Sequence, residues 1–258
     1  MKRLFVLIFL IFSFLLGPAP AQAGDDWARV VGPRAWKFPR DHGAHPEYRT
    51  EWWYFTGNLT DDAGSRYGYQ LTFFRQGLRR EVSRLANPWD IRDLYLAHFA
   101  ITDVPKGRFR FMERMSRAGP GLAGARTDGM EVWVLNWSAR MKGSMIFLEA
   151  SSSDMDLQLD LTPGKPPVFH GINGFSKKGL AVGQASYYIS FTNLKTQGFL
   201  KTHSGGSRTV IRGQSWFDHE FGSNQLSSDQ KGWDWFSLHL SDGRDLMIYF
   251  LRLKDGSI

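Results

Sequence analysis

The chain contains no cysteine among its 258 residues. This absence excludes disulfide bonds, thiolate metal ligands, a cysteine nucleophile and an acylated lipoprotein cysteine. Also absent are the Gly-x-Ser-x-Gly nucleophile elbow and the phosphate-binding loop. Because disulfide bonds are excluded, the stability of the fold must come from a large apolar core. The ten Trp, twenty Phe and eight Tyr residues indicate that the chain can build one.

Long hydrophobic runs are scarce, and the longest one, Leu4–Leu16, lies near the N-terminus. It follows two basic residues and precedes the small-residue stretch Ala21–Ala23, an arrangement typical of a secretory signal peptide. The run is too short to span a bilayer comfortably, so we predict cleavage after Ala23 and a periplasmic or secreted mature chain that begins with Gly24. An uncleaved membrane anchor is the alternative. N-terminal sequencing of the exported protein checks this prediction, and retention of Met1 would contradict it.

Basic residues outnumber acidic ones, which gives a formal net charge of +7 at pH 7. They are dispersed along the chain rather than gathered in one tract, so a solvated surface is the main interpretation. A mildly basic surface also suits anionic lipid or acidic glycan. Nucleic acid is not expected as a partner of an exported chain. The expected partners are a lipophilic small molecule and either an ABC-type export system or a membrane surface.

An aromatic stretch that begins at Glu51 recurs at Gly232. Each copy is followed by an Asp/Gly turn and a second apolar run, a pattern that predicts a β-hairpin. We therefore predict two similar β units with hairpins at Glu51–Arg75 and Gly232–Arg252 that superpose on each other. The equivalent residues are Trp52 with Trp233 and Tyr54 with Trp235.

Sustained helical periodicity is lacking, and turn signals recur throughout the chain. Alternation of apolar residues predicts about ten strands before the second hairpin, among them Ala185–Phe191 and Thr196–Lys201. This number of short strands is typical of an antiparallel β-barrel or sandwich. A closed barrel is preferred because it leaves no exposed strand edge. We predict an all-β chain with a barrel over residues 24–215, followed by the beginning of a second, truncated unit over residues 216–258. Because an isolated hairpin is marginally stable, the second one should dock on the barrel, associate with another copy or remain loosely held.

The densest polar cluster in an apolar setting is Ser215–Gly222, which contains Asp218, His219 and Glu220. In an extended strand Asp218 and Glu220 share one face and His219 takes the other, so the three cannot chelate one metal ion. Two carboxyls in different environments can act as acid and base. A turn-forming aspartate and a salt-bridged glutamate are the alternative. Asp234 is a further candidate acid, since apolar neighbours on its strand face would raise its pKa; an exposed edge position is its alternative.

Aromatic side chains also cluster on particular strand faces. In a barrel such a face can line a cavity for a lipophilic ligand, whereas core packing is the default interpretation. The candidate ligand-binding residues are Trp52, Tyr54, Trp216, Trp233, Trp235 and His239. No metal site is predicted, because His42 and His45 lie in a turn and no second histidine pair has ligand spacing.

Four sequence blocks, Phe38–Pro46, Thr50–Leu59, Ser215–Gly222 and Gly232–Phe236, resemble the AttH-type family of lipocalin-like secreted proteins, which is related to carotenoid 1,2-hydratase (hydroxyneurosporene synthase). The resemblance covers most of the predicted mature chain. It implies two successive lipocalin-like β-barrels, an exported protein and no known cofactor, and family members continue through the rest of the second barrel. Hydratase members add water across the terminal double bond of an acyclic carotenoid, and other members are labelled secreted hydrolases.

Hydration of such an alkene requires a protonated carboxylic acid, aromatic faces that stabilise a cation and an ordered water. Asp218, Glu220 or Asp234 can supply the acid, the tryptophans can supply the faces, and His219 or His239 can orient the water. Two functions are therefore considered. One is a carrier of a lipid or isoprenoid ligand, preferred because a fold does not imply catalysis. The other is a cofactor-free hydratase or hydrolase, which acids converging beside tryptophan would favour.

Overall fold

The computed structural model describes residues 27–80, 91–203, 206–224, 227 and 229–258. The predicted signal peptide and its cleavage site lie outside these residues. Within them, no helix is both long and apolar enough to cross a bilayer, and helical structure is limited to one 3₁₀ turn, Arg40–His42.

Strands make up almost all of the regular structure in the described ranges. Their bounds are β1 Thr50–Asp61, β2 Arg66–Gly77, β3 Asp93–Asp103, β4 Arg108–Arg117, β5 Ala123–Ala125, β6 Glu131–Val134, β7 Trp137–Lys142, β8 Met145–Ser151, β9 Asp156–Pro163, β10 Val168–Phe169, β11 Phe175–Lys177, β12 Ala185–Lys201, β13 Thr209–Gly222, β14 Gln230–His239 and β15 Asp245–Leu253. Thirteen form one antiparallel sheet in the order β4-β3-β2-β1-β13-β12-β9-β8-β7-β6-β5, with β10 and β11 paired to β12. The two edge strands of the sheet, β4 and β5, approach each other, so the sheet is nearly closed. The predicted all-β, lipocalin-like barrel is confirmed.

The barrel interior is packed with apolar side chains. Along β1, Trp53, Phe55 and Leu59 point inward and are at most 1% exposed, and Phe55 stacks on a phenylalanine of β13 with ring centroids 4.4 Å apart. Burial of each such side chain contributes roughly 1.5–3 kcal/mol. The aromatic residues expected to line a cavity inside the barrel, Trp52 and Tyr54, do not do so. Because successive strand residues point to opposite faces, Trp52 and Tyr54 lie on the outer face of the sheet.

The β14–β15 hairpin docks on that outer face, one of the three outcomes expected for it. Trp233 of β14 stacks on Trp52 with ring centroids 6.1 Å apart, and Trp235 meets Tyr54 edge-on at 5.4 Å. Asp245 of β15 accepts hydrogen bonds from a lysine ammonium at 2.6 Å and a threonine hydroxyl at 2.9 Å on the barrel. The residue pairs that the predicted repeat treats as equivalent therefore contact each other. Superposition of the two hairpins stays a prediction.

The unit boundary predicted at residue 215 falls inside a strand. β13 continues to Gly222 and pairs with both β1 and β12. This part of β13 is buried on both faces, on the inner side by the barrel core and on the outer side by the docked hairpin. Residues 216–222 therefore belong to the large sheet, and the idea that the hairpin begins a second barrel stays a prediction.

Candidate functional site

Strand register brings the polar cluster of β13 next to the aromatic residues of β1. Asp218 lies opposite Tyr54, and Glu220 lies opposite Trp52. Both carboxyls are on the outer face, whereas His219 points into the core, as strand alternation predicts. Beside these carboxyls, β12 adds the polar residues Ser186, Tyr188 and Ser190.

A cavity of about 230 Å³ lies between this face and the docked hairpin. Six of its lining residues are ones that the sequence indicated, Trp52, Tyr54, Asp218, Glu220, Trp233 and Trp235. The five that it did not indicate are Phe74, Lys178, Tyr188, Tyr249 and Leu251. Aromatic walls with a few converging polar groups are the usual composition of a small-molecule site.

Asp218 is almost completely buried, with 3% of its surface exposed, although it lines the cavity. Its Oδ1 atom accepts hydrogen bonds from the Ser190 hydroxyl and from the Trp216 indole N–H, the latter at 2.8 Å. Burial raises the pKa of Asp218 from its ordinary 3.8 to about 7, because loss of water penalises the carboxylate more than these hydrogen bonds stabilise it. Near neutral pH the group is therefore poised to donate a proton.

A buried ion pair also lines the cavity. The Lys178 ammonium is 2.9 Å from Oε1 of Glu220, and the Ser186 hydroxyl donates to the same oxygen. Burial alone would lower the pKa of Lys178, but Glu220 and Tyr249 outweigh it, and the pKa is raised. The ammonium also lies 4.5 Å and 5.0 Å from the ring centroids of Tyr249 and Tyr188. The cavity thus presents a fixed donor and a fixed acceptor beside its aromatic walls.

Ser190 links Asp218 to a histidine behind the cavity lining. Nε2 of His170 is 2.7 Å from the Ser190 hydroxyl oxygen, and the His170 ring packs on Tyr188 with centroids 4.1 Å apart. Burial and the Lys178 ammonium lower the pKa of His170 to about 4, so the imidazole is neutral at pH 7. Ser190 itself is completely buried. A nucleophile must reach its substrate, so this position argues against Ser190 as a hydrolase nucleophile.

Asp234 is not part of the cavity, and the prediction that it is a desolvated acid was wrong. It lies on the outward side of β14, where 48% of its side chain is exposed and Arg252 is 3.4 Å away. The hairpin packs on the barrel through Trp233 and Trp235, so strand alternation turns the residue between them away from the barrel.

The two histidines predicted to orient water do not line this cavity either. His219 is completely buried in the core, where it stacks on Trp53 with centroids 5.0 Å apart and its Nε2 is 2.9 Å from Glu51. This position places it out of reach of a ligand in the cavity. His239 is 2.8 Å from an aspartate of β15 and, together with Trp216, lines an adjoining cavity of about 370 Å³.

The residues that the sequence did not indicate come from segments without a chemical signature. Lys178 and His170 follow the very short strands β11 and β10, in a stretch rich in turn residues. Tyr188 and Ser190 lie in the predicted strand Ala185–Phe191, whose alternation already places them on one face. The missing information was the register against β13, which periodicity does not encode.

A second cluster of ionisable side chains lies inside the barrel. Nδ1 of His45 and Nε2 of His219 are 2.8 Å and 2.9 Å from the same oxygen of Glu51, and the three possible ligand atoms lie within 4.8 Å of one another. Such atoms can hold a metal ion, but the Arg75 guanidinium, 3.2 Å from Glu51, already supplies the positive charge. Burial would raise the pKa of Glu51, but the two histidines and Arg75 hold it well below its ordinary range. The cluster is a hydrogen-bonded ionic network.

Comparison with known proteins gives a family and a fold. A family model described as AttH-like matches residues 29–258. The crystal structure of an AttH protein from Nitrosomonas europaea is 36% identical, with a TM-score of 0.79, over 89% of this chain and 69% of that one. A kievitone hydratase from Nectria haematococca, 12% identical, has a TM-score of 0.58 over 90% of this chain and 70% of that one, a likeness in fold alone. No match was found among curated protein sequences.

Proposed function

The chain belongs to the AttH-like family, and we propose that it catalyses acid-dependent addition of water to, or loss of water from, a lipophilic alkene without a cofactor. The observation that carries this proposal is Asp218, a buried carboxyl whose pKa of about 7 keeps much of it protonated at neutral pH. It faces a cavity walled by aromatic side chains. A carrier has no need of such a group, whereas a general acid does.

Asp218 is the proton donor in the proposed reaction. Its O–H proton passes to one alkene carbon, the C=C electron pair forms the new C–H bond, and a tertiary cation remains on the other carbon. The aromatic side chains that line the cavity stabilise that cation, an interaction worth about 2 kcal/mol or more when desolvated. The Asp218 carboxylate that is left accepts hydrogen bonds from Ser190 and Trp216, which stabilise the developing negative charge.

Glu220 is the proposed partner of the attacking water. Its carboxylate lines the cavity and is held by Lys178 at 2.9 Å and by Ser186, so it is fixed before the substrate binds. The water oxygen bonds to the cation, and the resulting oxonium transfers a proton to Glu220, which leaves a neutral tertiary alcohol. The reverse steps remove water from such an alcohol.

A hydratase is preferred to a hydrolase because the serine hydroxyl that contacts Asp218, that of Ser190, is completely buried. The fold shared with kievitone hydratase from Nectria haematococca supports this choice by analogy only, since the two chains are 12% identical.

Incubation of the full chain with geraniol or farnesol in ¹⁸O-labelled water tests the proposal. We expect ¹⁸O in a new tertiary hydroxyl group, detected by mass spectrometry. The rate should fall as the pH rises through about 7, because the acid form of Asp218 is lost. Compounds that bind and quench tryptophan fluorescence but gain no ¹⁸O at any pH would contradict the enzyme and favour the carrier.

A carrier of a lipophilic ligand is the second candidate function, and the aromatic lining of the cavity favours it. In that case mass spectrometry of lipids that co-purify with the protein should identify a stoichiometric ligand. For either function we propose a periplasmic or secreted location, on the ground of the predicted signal peptide, with an export system or a membrane surface as the partner that delivers the ligand.

A further inference from the structure

Asp218 loses its proton in each turnover of the proposed reaction and must regain one. The carboxyl group is almost completely buried, and a bound substrate covers the side that faces the cavity. The protein groups that surround it are Ser190, Trp216, Tyr188, Tyr54 and Glu220. A proton from solvent has to pass through one of these groups or through the cavity itself.

Three groups in the described ranges hydrogen-bond to Asp218, namely Ser190, Trp216 and Tyr188, and of these Ser190 alone continues to an ionisable side chain. The indole of Trp216 donates to Asp218 but has no acceptor atom, so it cannot pass a proton on. The Tyr188 hydroxyl also contacts Asp218, but its other partner is the indole N–H of Trp235 at 3.2 Å, which ends that path. Ser190 contacts Asp218 on one side and Nε2 of His170 on the other, at 2.7 Å.

His170 is the least buried member of this row. Its side chain is half-buried and residues 171–173, which follow it, are exposed, whereas Ser190 is completely buried and Asp218 is 3% exposed. The row Asp218–Ser190–His170 therefore runs from the cavity toward the surface, and we expect water to supply a proton at its His170 end.

We propose that Ser190 and His170 form a proton relay that returns a proton from solvent to Asp218 after each turnover, an inference that rests on the proposed function. Nδ1 of His170 takes up a proton from water, and Nε2–H passes its proton to the Ser190 oxygen. The Ser190 hydroxyl proton moves to Oδ1 of Asp218. The carboxyl group of Asp218 is neutral again, and the imidazole is left neutral with its proton on Nδ1; it returns to the Nε2–H form when Asp218 next ionises. The proton that Glu220 took from the attacking water returns to solvent through the cavity when the product leaves, so each turnover takes up one proton and releases one. His170 and Ser190 act through Asp218 and are positioning residues.

The charges around the relay favour movement toward Asp218. His170 has the lower pKa of the two end groups, about 4 against about 7, so a proton that arrives on the imidazole passes on to the carboxylate. Burial and the Lys178 ammonium lower the pKa of His170, while Tyr188 packs on its ring. The pKa of Asp218 is raised by its own burial and by Glu220.

The relay has a spectroscopic signature that needs no substrate. When Asp218 is protonated, its O–H donates to Ser190, Ser190 donates to Nε2 of His170, and the histidine proton is on Nδ1. When Asp218 is ionised, Ser190 donates to the carboxylate, and the histidine must donate from Nε2 instead. The neutral ring of His170 should therefore change tautomer as Asp218 titrates.

NMR of the full chain, with ¹³C in the aspartate carboxyls and ¹⁵N in the histidine rings, tests the proposal from about pH 5 to about pH 9. We expect the Nδ1–H tautomer of His170 to give way to the Nε2–H tautomer with the same midpoint as Asp218. In S190A the change of tautomer should disappear, while Asp218 still titrates, at a higher pKa because a hydrogen bond to its carboxylate is lost. His98, a half-buried histidine packed between Phe74 and Phe111, is the internal control and should not follow that midpoint.

The possible outcomes distinguish failure of the proton relay from failure of Asp218 as the general acid. If Asp218 titrates near pH 7 and His170 keeps one tautomer throughout, the relay is overturned and the general acid stands. If Asp218 is ionised down to about pH 4, the proposed function fails and the relay fails with it. A change of tautomer that persists in S190A would also overturn the relay, since the coupling would not pass through Ser190.

Discussion

Replacing Asp218 with asparagine should lower the rate of water addition by about 10²–10⁴-fold, the usual contribution of a general acid. Asparagine has nearly the shape of the protonated carboxyl and can still accept the hydrogen bonds from Ser190 and Trp216. What it lacks is the proton to transfer. Binding of a lipophilic ligand should therefore persist, while turnover is lost.

The same substitution should stabilise the fold at alkaline pH. The pKa of Asp218 is raised to about 7 in the folded chain from an ordinary 3.8, so the folded state binds this proton more tightly than the unfolded state does. Stability from the group is complete below about pH 4 and falls as the pH rises to about 7, a loss on the order of 4 kcal/mol. The asparagine side chain has no proton to lose. The stability of D218N relative to the wild type should therefore increase as the pH rises from about 4 to about 7.

Urea unfolding followed by tryptophan fluorescence at about pH 4 and about pH 8 measures the stability difference, and the ¹⁸O assay measures turnover. D160N is a matched control, since Asp160 lies half-buried on β9 outside the cavity lining. It should keep both activity and the pH dependence of stability. Full turnover in D218N would remove Asp218 from the reaction, and equal stability of D218N and the wild type at both pH values would mean that the carboxyl is ionised in the fold.

Alternation and turn chemistry were enough to predict the barrel and both hairpins. The hairpins form where aromatic runs flank an Asp/Gly turn. Two strands predicted at Ala185–Phe191 and Thr196–Lys201 are one strand, β12, because the residues between them include no glycine or proline and the strand continues with an irregularity after Phe191. Local signals thus decide which residues are extended, and they are weaker at deciding where a strand ends.

The position of the cavity could not be predicted from the sequence. Periodicity states which residues share a face of a strand, but it does not state which element covers that face. Trp52 and Tyr54 fit the inside of a barrel as well as its outside, and the docking of β14–β15 decides between them. The error at Asp234 has the same origin, since the side of the hairpin that packs on the barrel depends on a contact distant in sequence.

Replacing Arg75 with methionine should destabilise the fold by about 3–5 kcal/mol, the usual cost of breaking a buried ion pair. Arg75 is 2% exposed, and its guanidinium is 3.2 Å from Glu51 and 2.9 Å from Asp93. It also donates to the backbone carbonyls of His45 and Tyr48 at 2.9 Å and 2.7 Å, which attaches the segment before β1 to the barrel. Methionine fills most of the volume, so the loss comes from carboxylates and carbonyls left without a partner.

The acid sensitivity of this network gives the prediction a second readout. Burial would raise the pKa of Glu51, but His45, His219 and Arg75 lower it well below its ordinary range. The folded chain therefore binds this proton more weakly than the unfolded chain does, and the stability it provides is complete above about pH 5 and lost on acidification. Without the guanidinium the pKa of Glu51 should rise, so R75M should differ most from the wild type at neutral pH and less at about pH 3.

Urea unfolding at these two pH values measures both effects. R126M is the matched control, because Arg126 is an exposed arginine that pairs with Asp128 at 2.8 Å, and it should unfold together with the wild type. The double variant R75M/E51Q removes the negative charge together with the positive one and should recover part of the lost stability, since the cost of the single change is an unpaired buried charge. A double variant as unstable as the sum of its two single variants would mean that Arg75 stabilises the fold through its carbonyl contacts alone, and that the carboxylate of Glu51 is sufficiently stabilised by His45 and His219.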